Sequence, residues 1–500
     1  MKHSVMRVLI LACLLMVSSA ATGLGFDFSE LENAVHEYTL DNGLKIIVLP
    51  RHHAPVVSCL TWADVGSVDD PKELTGIAHL LEHMAFKGTN DLGGSDIKKE
   101  KKLMAIEDSV FYELRAERLK GRLADSARLA ELEKAYDDAR DAAFEVVVPN
   151  EFTETVSREG GVGMNAGTSY DLTRYFFSVP SNKIEFWMAM ESERFYKPVL
   201  RAMYKERDVV AEERRQGMST PFRRMMEQFF GLAYLAHPYG NMIVGHMSDI
   251  QNYTRDDLKE QFQKYYGPSN LTVAIVGDVD PENVHKLAKK YWGRIKARPG
   301  PEPIATVEPE QLGERRMDME DPAQPMLWMG WHVPDQLHPD WPALEAAMDY
   351  LGQGRTSLLF KSLVRDKKVA IQAQSWVGWP GSKYSSMALT LALPSQDHTN
   401  TECEEEILAQ VEILKEKLVS EQDIEAIKAR AKAGFIGSLT GNLGLATQLA
   451  AFQVSHDDWR QMFRQLDLIN AVTAEDIQRV MKKYFTKTNR VVVQMNTIEG

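Results

Sequence analysis

The chain has 500 residues, more than one hydrophobic core usually serves, so two or more domains are expected. Hydrophobic residues make up 44% and charged residues 26%, ordinary for a globular protein. The formal net charge of −13 speaks against a nucleic-acid partner, which asks for a basic face.

The first residues carry a signal of their own. Lys2 and Arg7 precede an apolar run from Val8 to Val17, and Ser18-Ser19-Ala20-Ala21 offers the small residues a signal peptidase accepts. Residues 1–25 are expected to be a secretory leader, too short for a comfortable membrane span. Its removal takes away two positive charges and leaves −15. No later segment runs 18 apolar residues uninterrupted, so no stable span is expected after cleavage, and the location expected is periplasmic or secreted. Only Cys59 and Cys403 follow the leader, and two free thiols are the expected state.

Strands come next. Residues 36–40, 44–49 and 56–63 are β-rich, and Asp41-Asn42-Gly43 between the first two reads as a hairpin turn. Residues 74–89 then read LTGIAHLLEHMAFKGT. His79 and His83, four apart on a helix, point the same way and can grip one metal ion. Glu82 lies on nearly the same face, placed to hold a water rather than the metal. This H-x-x-E-H order is a zinc-peptidase signature.

Residues 97–145 are rich in Lys, Glu, Ala and Leu. Leu103, Ile106, Val110 and Leu114 share a helical face, Leu129, Leu132 and Tyr136 share another, and Gly121 marks the turn of a helical hairpin. Asn165-Ala166-Gly167-Thr168 reads by itself as a turn. Lys205 to Arg214 is a helical run in which Glu206 and Glu213, seven apart, share a face. A catalytic zinc needs a third protein ligand, and composition alone singles out neither glutamate.

The chain repeats itself. Residues 253–279 and 472–498 match at a constant offset of 219, with Thr254 against Thr473, Tyr265 against Tyr484 and Asn270 against Asn489. Each copy is a helix with a threonine N-cap followed by a β-branched strand. Residues 55–66 resemble residues 325–334 at an offset of 270. The excess of 270 over 219 leaves 51 residues, which the stretch 97–145 accounts for as an insertion. Arg298-Pro299-Gly300-Pro301-Glu302-Pro303 has no helical period and reads as a linker. The expected organisation is a first domain over 26–295, a linker over 296–312 and a second domain over 313–500. The expected fold class is α+β: two homologous domains, each a mixed, mainly antiparallel sheet packed against helices, with a helical insertion in the first.

TLDNGLKIIV, GIAHLLEHMAFKGT, MNAGTSYDLTRYFF, ERDVVAEE, HPYG and YYGPSNLTVAIVGDV occur in that order. In this they resemble the insulinase/pitrilysin family of zinc metallopeptidases, the inverzincins, and within it the two-domain branch that includes mitochondrial processing peptidase. The resemblance implies one Zn2+ per chain, held by His79, His83 and Glu213, with the adjacent Glu212 as the alternative third ligand. It implies Glu82 as general base and Glu206 as a residue supporting the metal site without ligating it. It implies that Asn165 and Ala166 belong to a strand that receives an extended peptide. The function implied is a zinc-dependent endopeptidase acting on peptides or small unfolded polypeptides. The second domain carries no H-x-x-E-H and resembles the family's inactive half. Active members use an Arg and a Tyr to bind the substrate carbonyl, and the segment 384–395, where that pair is sought, holds no arginine. A homologous partner subunit, in a homodimer or heterodimer, is therefore expected. The alternative readings are a non-catalytic assembly subunit and a peptidase dedicated to one precursor.

Overall fold

The structure is a computed structural model that describes residues 28–498. The leader expected over residues 1–25 lies outside the described residues. The short helix Ser29–Asn33 belongs to one unit, and His36 onward forms a second.

Two sheets organise that second unit. The strands of the first are β1 (His36–Thr39), β2 (Lys45–Pro50), β3 (Val56–Ala63), β4 (Val162–Thr168), β5 (Thr173–Pro180) and β6 (Leu271–Gly277), in the order β1-β2-β6-β3-β5-β4. The second holds β7 (Arg315–Asp321), β8 (Met326–Val333), β9 (Ala370–Trp379), β10 (Ser386–Pro394) and β11 (Arg490–Thr497), in the order β7-β11-β8-β10-β9. Each sheet has one parallel pair, β2 with β6 and β7 with β11. The remaining neighbours are antiparallel. The fold is α+β, as expected.

The internal repeat has a structural meaning. β6 and β11 hold the same place in their sheets, and each follows a helix that opens with a capping box. In one copy Thr254 and Asp257 exchange bonds with each other's backbone N–H, and in the other Thr473 and Asp476 do so.

Residues 97–145 form a hairpin of two helices, Ile97–Arg118 and Ser126–Phe144, turning at Gly121 with φ +56°. The buried face of the first helix differs from the expected one. Leu114 is buried, but Ile106 is 54% exposed, and the inward positions are Glu100, Met104, Glu107 and Phe111. The reason is electrostatic. Glu100 meets Arg201 Nε at 2.7 Å, and Glu107 meets Arg255 Nη2 at 2.8 Å, so two buried carboxylates have buried cations waiting for them.

The two halves of the sequence interlock. Both β3 and β6 are buried almost throughout. Val57, Cys59, Val273 and Ile275 belong to the main core of the first sheet. By strand alternation Leu60, Ala274 and Val276 turn to the opposite face. The helix Asn442–His456, from the second half of the chain, covers β3 and β6 and buries Leu445, Ala446, Leu449 and Ala450. In return the helix Pro221–Ala233, from the first half, lies on β7 and β11. It places Met225, Phe229 and Phe230 against Trp328, Leu389 and Val493. Residues 296–310 have no regular structure, yet they are tied down. Glu308 accepts bonds from the backbone N–H groups of Leu235, Ala236 and His237 at 2.8, 3.0 and 3.1 Å.

Cys59 and Cys403 are both buried and free.

Candidate metal centre

Two helices from the first half converge. The motif helix spans Ile77–Met84 and buries Ile77, Ala78, Leu80, Leu81 and Met84, which leaves His79, Glu82 and His83 on its other side. It starts at Gly76, whose φ of +92° is left-handed and whose absent Cβ would lie 2.4 Å from the Val244 carbonyl oxygen. No side chain at Gly76 can cap the helix, and Asp70 does so from a distance. It accepts the N–H of Gly76 at 2.7 Å and of Ala78 at 3.0 Å. The second helix, Met203–Ser219, carries the glutamates of the sequence reading.

His79, His83 and Glu213 come together, each offering one ligand atom, all within 4.8 Å of one another. Glu213 Oε2 lies 3.7 Å from His79 Nε2 and 3.8 Å from His83 Nε2. These separations are too long for hydrogen bonds and short enough for three donors to share one ion about 2 Å from each. His79 Nδ1 is buried with no hydrogen-bond partner among the described residues. Two imidazole nitrogens and one carboxylate form a donor set that suits zinc.

Glu206 stands behind this group. Its Oε1 lies 2.9 Å from His83 Nδ1, and its Oε2 pairs with Lys87. With His83 Nδ1–H donating to the Glu206 carboxylate, His83 Nε2 is left with a free lone pair on the side of Glu213. Glu212 points elsewhere. It pairs with Arg215, and its side chain is 52% exposed. Glu82 accepts a bond from Thr168 Oγ1 at 2.7 Å. Thr168 ends β4, an edge strand of the sheet, on which Asn165 and Ala166 also lie. The turn read from residues 165–168 alone is thus strand, and Ala166 faces Tyr175 of β5 across the ladder.

The local electrostatics divide the groups. Burial, helped by His83 and Arg223, pushes His79 down to about 4. Burial also opposes the charged form of His83, but the Glu206 bond and the carboxylates of Glu206, Glu82 and Glu213 outweigh it and raise its pKa. Burial, with a contribution from Glu213, lifts Glu82 above the usual carboxylate range, against the pull of Thr168 and His83. Glu206 is buried too, yet bonds from His83 and Lys87 hold it below that range. One carboxylate is thus tuned towards holding a proton and its neighbour towards staying charged.

Sequence reasoning missed three residues that matter here: Asp70, Lys87 and Thr168. Lys87 left a trace, because it follows His83 by four residues and so continues its helical face. Asp70 left none, and Thr168 was read only as the end of the 165–168 segment, since only the fold brings it to Glu82. The segment 384–395 lies mainly in β10, an interior strand between β8 and β9, so it has little room for a substrate-binding arginine.

Comparison with known proteins fits this geometry. Residues 45–114 match the model of the insulinase family, peptidase family M16, and residues 252–431 match the model of the peptidase M16 inactive domain. Over 508 aligned residues the chain is 29% identical to the zinc protease PqqE of Helicobacter pylori, covering 99% of each. The chain belongs to the insulinase family. A second relative in the family is the beta subunit of the mitochondrial-processing peptidase of Lentinula edodes, 23% identical, with 92% of this chain and 90% of that protein covered. The crystal structure of a protease from Helicobacter pylori superposes with a TM-score of 0.76 at 28% identity, covering 92% of this chain and 99% of that one. The stretch matched as an inactive domain begins after the histidines and Glu213, so that description does not bear on the metal residues.

Proposed function

We propose that this insulinase-family chain is an exported zinc endopeptidase that hydrolyses extended peptides or small unfolded polypeptides. The observation that carries the reading is the convergence of His79, His83 and Glu213 within 4.8 Å, beside a Glu82 that is bonded to the edge strand β4. His79, His83 and Glu213 would hold the ion. Bound zinc would act as a Lewis acid, polarising the scissile carbonyl and making water more acidic.

The protein's own groups do the rest. Glu82, whose proton affinity is raised by burial, takes a proton from the attacking water and hands it to the leaving amine. Glu206 holds His83 in the tautomer that presents Nε2. The free edge of β4 at Asn165 and Ala166 offers main-chain groups to an incoming strand, which fixes a peptide without reading much of its sequence. Export rests on the leader over residues 1–25. No arginine is available from 384–395, so a homologous subunit completes the site in a homodimer or heterodimer. Among the described residues no helix is long and apolar enough to cross a membrane.

The test is hydrolysis of a quenched fluorescent peptide library by wild type and Glu82→Gln, with zinc measured in both. The expected result is one zinc in each and hydrolysis at least about 100-fold slower in the variant, the scale of a lost general base. Wild type that binds no zinc would sink the reading. Zinc in both with cleavage in neither would make the chain a subunit that needs its partner.

A further inference from the structure

A cavity of about 850 Å3 opens in the first half of the molecule, and none of His79, Glu82, His83, Glu206 or Glu213 lines it. Its walls come from the insertion helix Ile97–Arg118, the segment 195–200, the helix Arg255–Tyr265 and residues 294–298. A volume of this size suits a small-molecule ligand.

Its charge is out of keeping with the chain. The net charge is −13, yet seven residues lining this cavity are basic and only Asp108 is acidic. Three of the seven are neutralised by carboxylates: Arg255 by Glu107 at 2.8 Å, Lys259 by Asp256 at 2.8 Å and Arg294 by Glu193 at 2.5 Å. The other four have no carboxylate partner among the described residues. Lys101 meets only the Asn90 side-chain oxygen, at 3.0 Å. Lys197 lies over the Tyr196 ring. Arg298 donates to the carbonyls of Gln263 and Tyr266 at 3.0 and 2.7 Å, and Lys296 has no ion pair. Burial lowers the pKa of Arg298, and no anion offsets it.

Lysines on a convex surface are simply solvated, and such a run would need no explanation. Here the cations ring a concavity, where their fields add instead of dispersing. Phe262 lines the same cavity beneath the Arg298 guanidinium, so an apolar surface lies beside the charges. The insertion contributes Lys101 and is itself locked in place by the buried Arg201–Glu100 and Arg255–Glu107 pairs. It is a fixed wall and not a free arm.

We propose that this cavity binds a small organic polyanion, with two or more phosphate or carboxylate groups, one of its walls being the 97–145 insertion. The proposal goes beyond the peptidase reading and does not depend on it.

Calorimetric titration of the whole protein tests it at low ionic strength, using inorganic pyrophosphate, benzene-1,3,5-tricarboxylate and the monoanion benzoate. Lys101, Lys197 and Lys296 are exposed, so replacing them should leave the fold intact, and a thermal melt of each variant checks this. The expected result is one polyanion per chain, with benzoate at least about tenfold weaker. Lys197→Ala/Lys296→Ala and Lys101→Ala should each weaken binding about tenfold, while Lys361→Ala/Lys482→Ala on the second half leaves it unchanged. Whichever polyanion binds more tightly tells phosphate from carboxylate. Absence of binding by either polyanion overturns the proposal. So does equal weakening in the control variant, which would mark attraction to lysines in general.

Discussion

At the scale of single residues, the hydrogen bond between His83 and Glu206 is the most consequential contact of the site. It decides which imidazole nitrogen is left for a metal. Glu206→Gln should lower zinc affinity about 10- to 100-fold, measured by competition with a chromogenic chelator. Glu212→Gln should leave it unchanged, because that side chain pairs with Arg215 in solvent. Equal losses would mean that only the total charge of the helix matters. A second buried contact is structural. Arg201 is 1% exposed and bonds Glu100 together with the carbonyls of Lys87, Thr89 and Leu92. Arg201→Met leaves Glu100 buried without a cation and should cost about 3–5 kcal/mol in urea unfolding. Much of this site was legible in the sequence. The i, i+4 spacing of His79 and His83 requires only a helix. Choosing Glu213 over Glu212 is a matter of which way adjacent side chains of one helix face, and that depends on how the helix docks.

At the scale of elements, the motif helix depends on a cap it does not contain. Asp70 is six residues before Gly76, and only the intervening turn brings it back over the first N–H groups. Asp70→Ala should lower stability by about 1–2 kcal/mol, read from thermal unfolding, since two buried donors lose their acceptor. An unchanged melt would mean that water replaces the carboxylate. The insertion shows the limit of pattern reading. Apolar periodicity placed Ile106 inward, whereas the structure turns Glu100 and Glu107 inward instead. Periodicity treats a glutamate as solvated, and it cannot anticipate an arginine arriving from 100 or more residues away in sequence.

At the scale of the whole molecule, the interlocked helices should make the two halves inseparable. Proteolytic cleavage within residues 299–307 should leave both fragments in one species on size exclusion, unfolding in one transition. Each sheet would otherwise lose the helix that covers one of its faces. Fragments that separate would refute the interlock. A pH effect belongs to the same scale. Asp69 sits near Lys383, Asp64 and Asp171, and burial lifts its pKa to about 6. The folded state then binds a proton that the unfolded chain has released, so the contribution is present below about pH 4 and lost as pH rises through 6. Wild type should lose up to about 3 kcal/mol across that window relative to Asp69→Asn, seen in urea midpoints. A relative loss in the opposite direction would place the proton elsewhere.

The sequence by itself determined the local features. These are the i, i+4 histidine pair, the hairpin turn at Asp41-Asn42-Gly43, the threonine caps, the helical hairpin and the repeat at an offset of 219 that becomes two sheets of like order. Each depends on residues close together in the chain, or on two stretches that resemble each other. Tertiary structure alone decided the rest. It chose the glutamate that meets the histidines, assigned Thr168 to Glu82, sent acidic residues of the insertion inward, and exchanged a helix between the two halves. It also gathered Lys101, Lys197, Lys296 and Arg298 around one cavity in an acidic chain. The physical reason is the same in each case. Periodicity reports which face of an element avoids water, but only the docking of distant elements sets which groups meet across it.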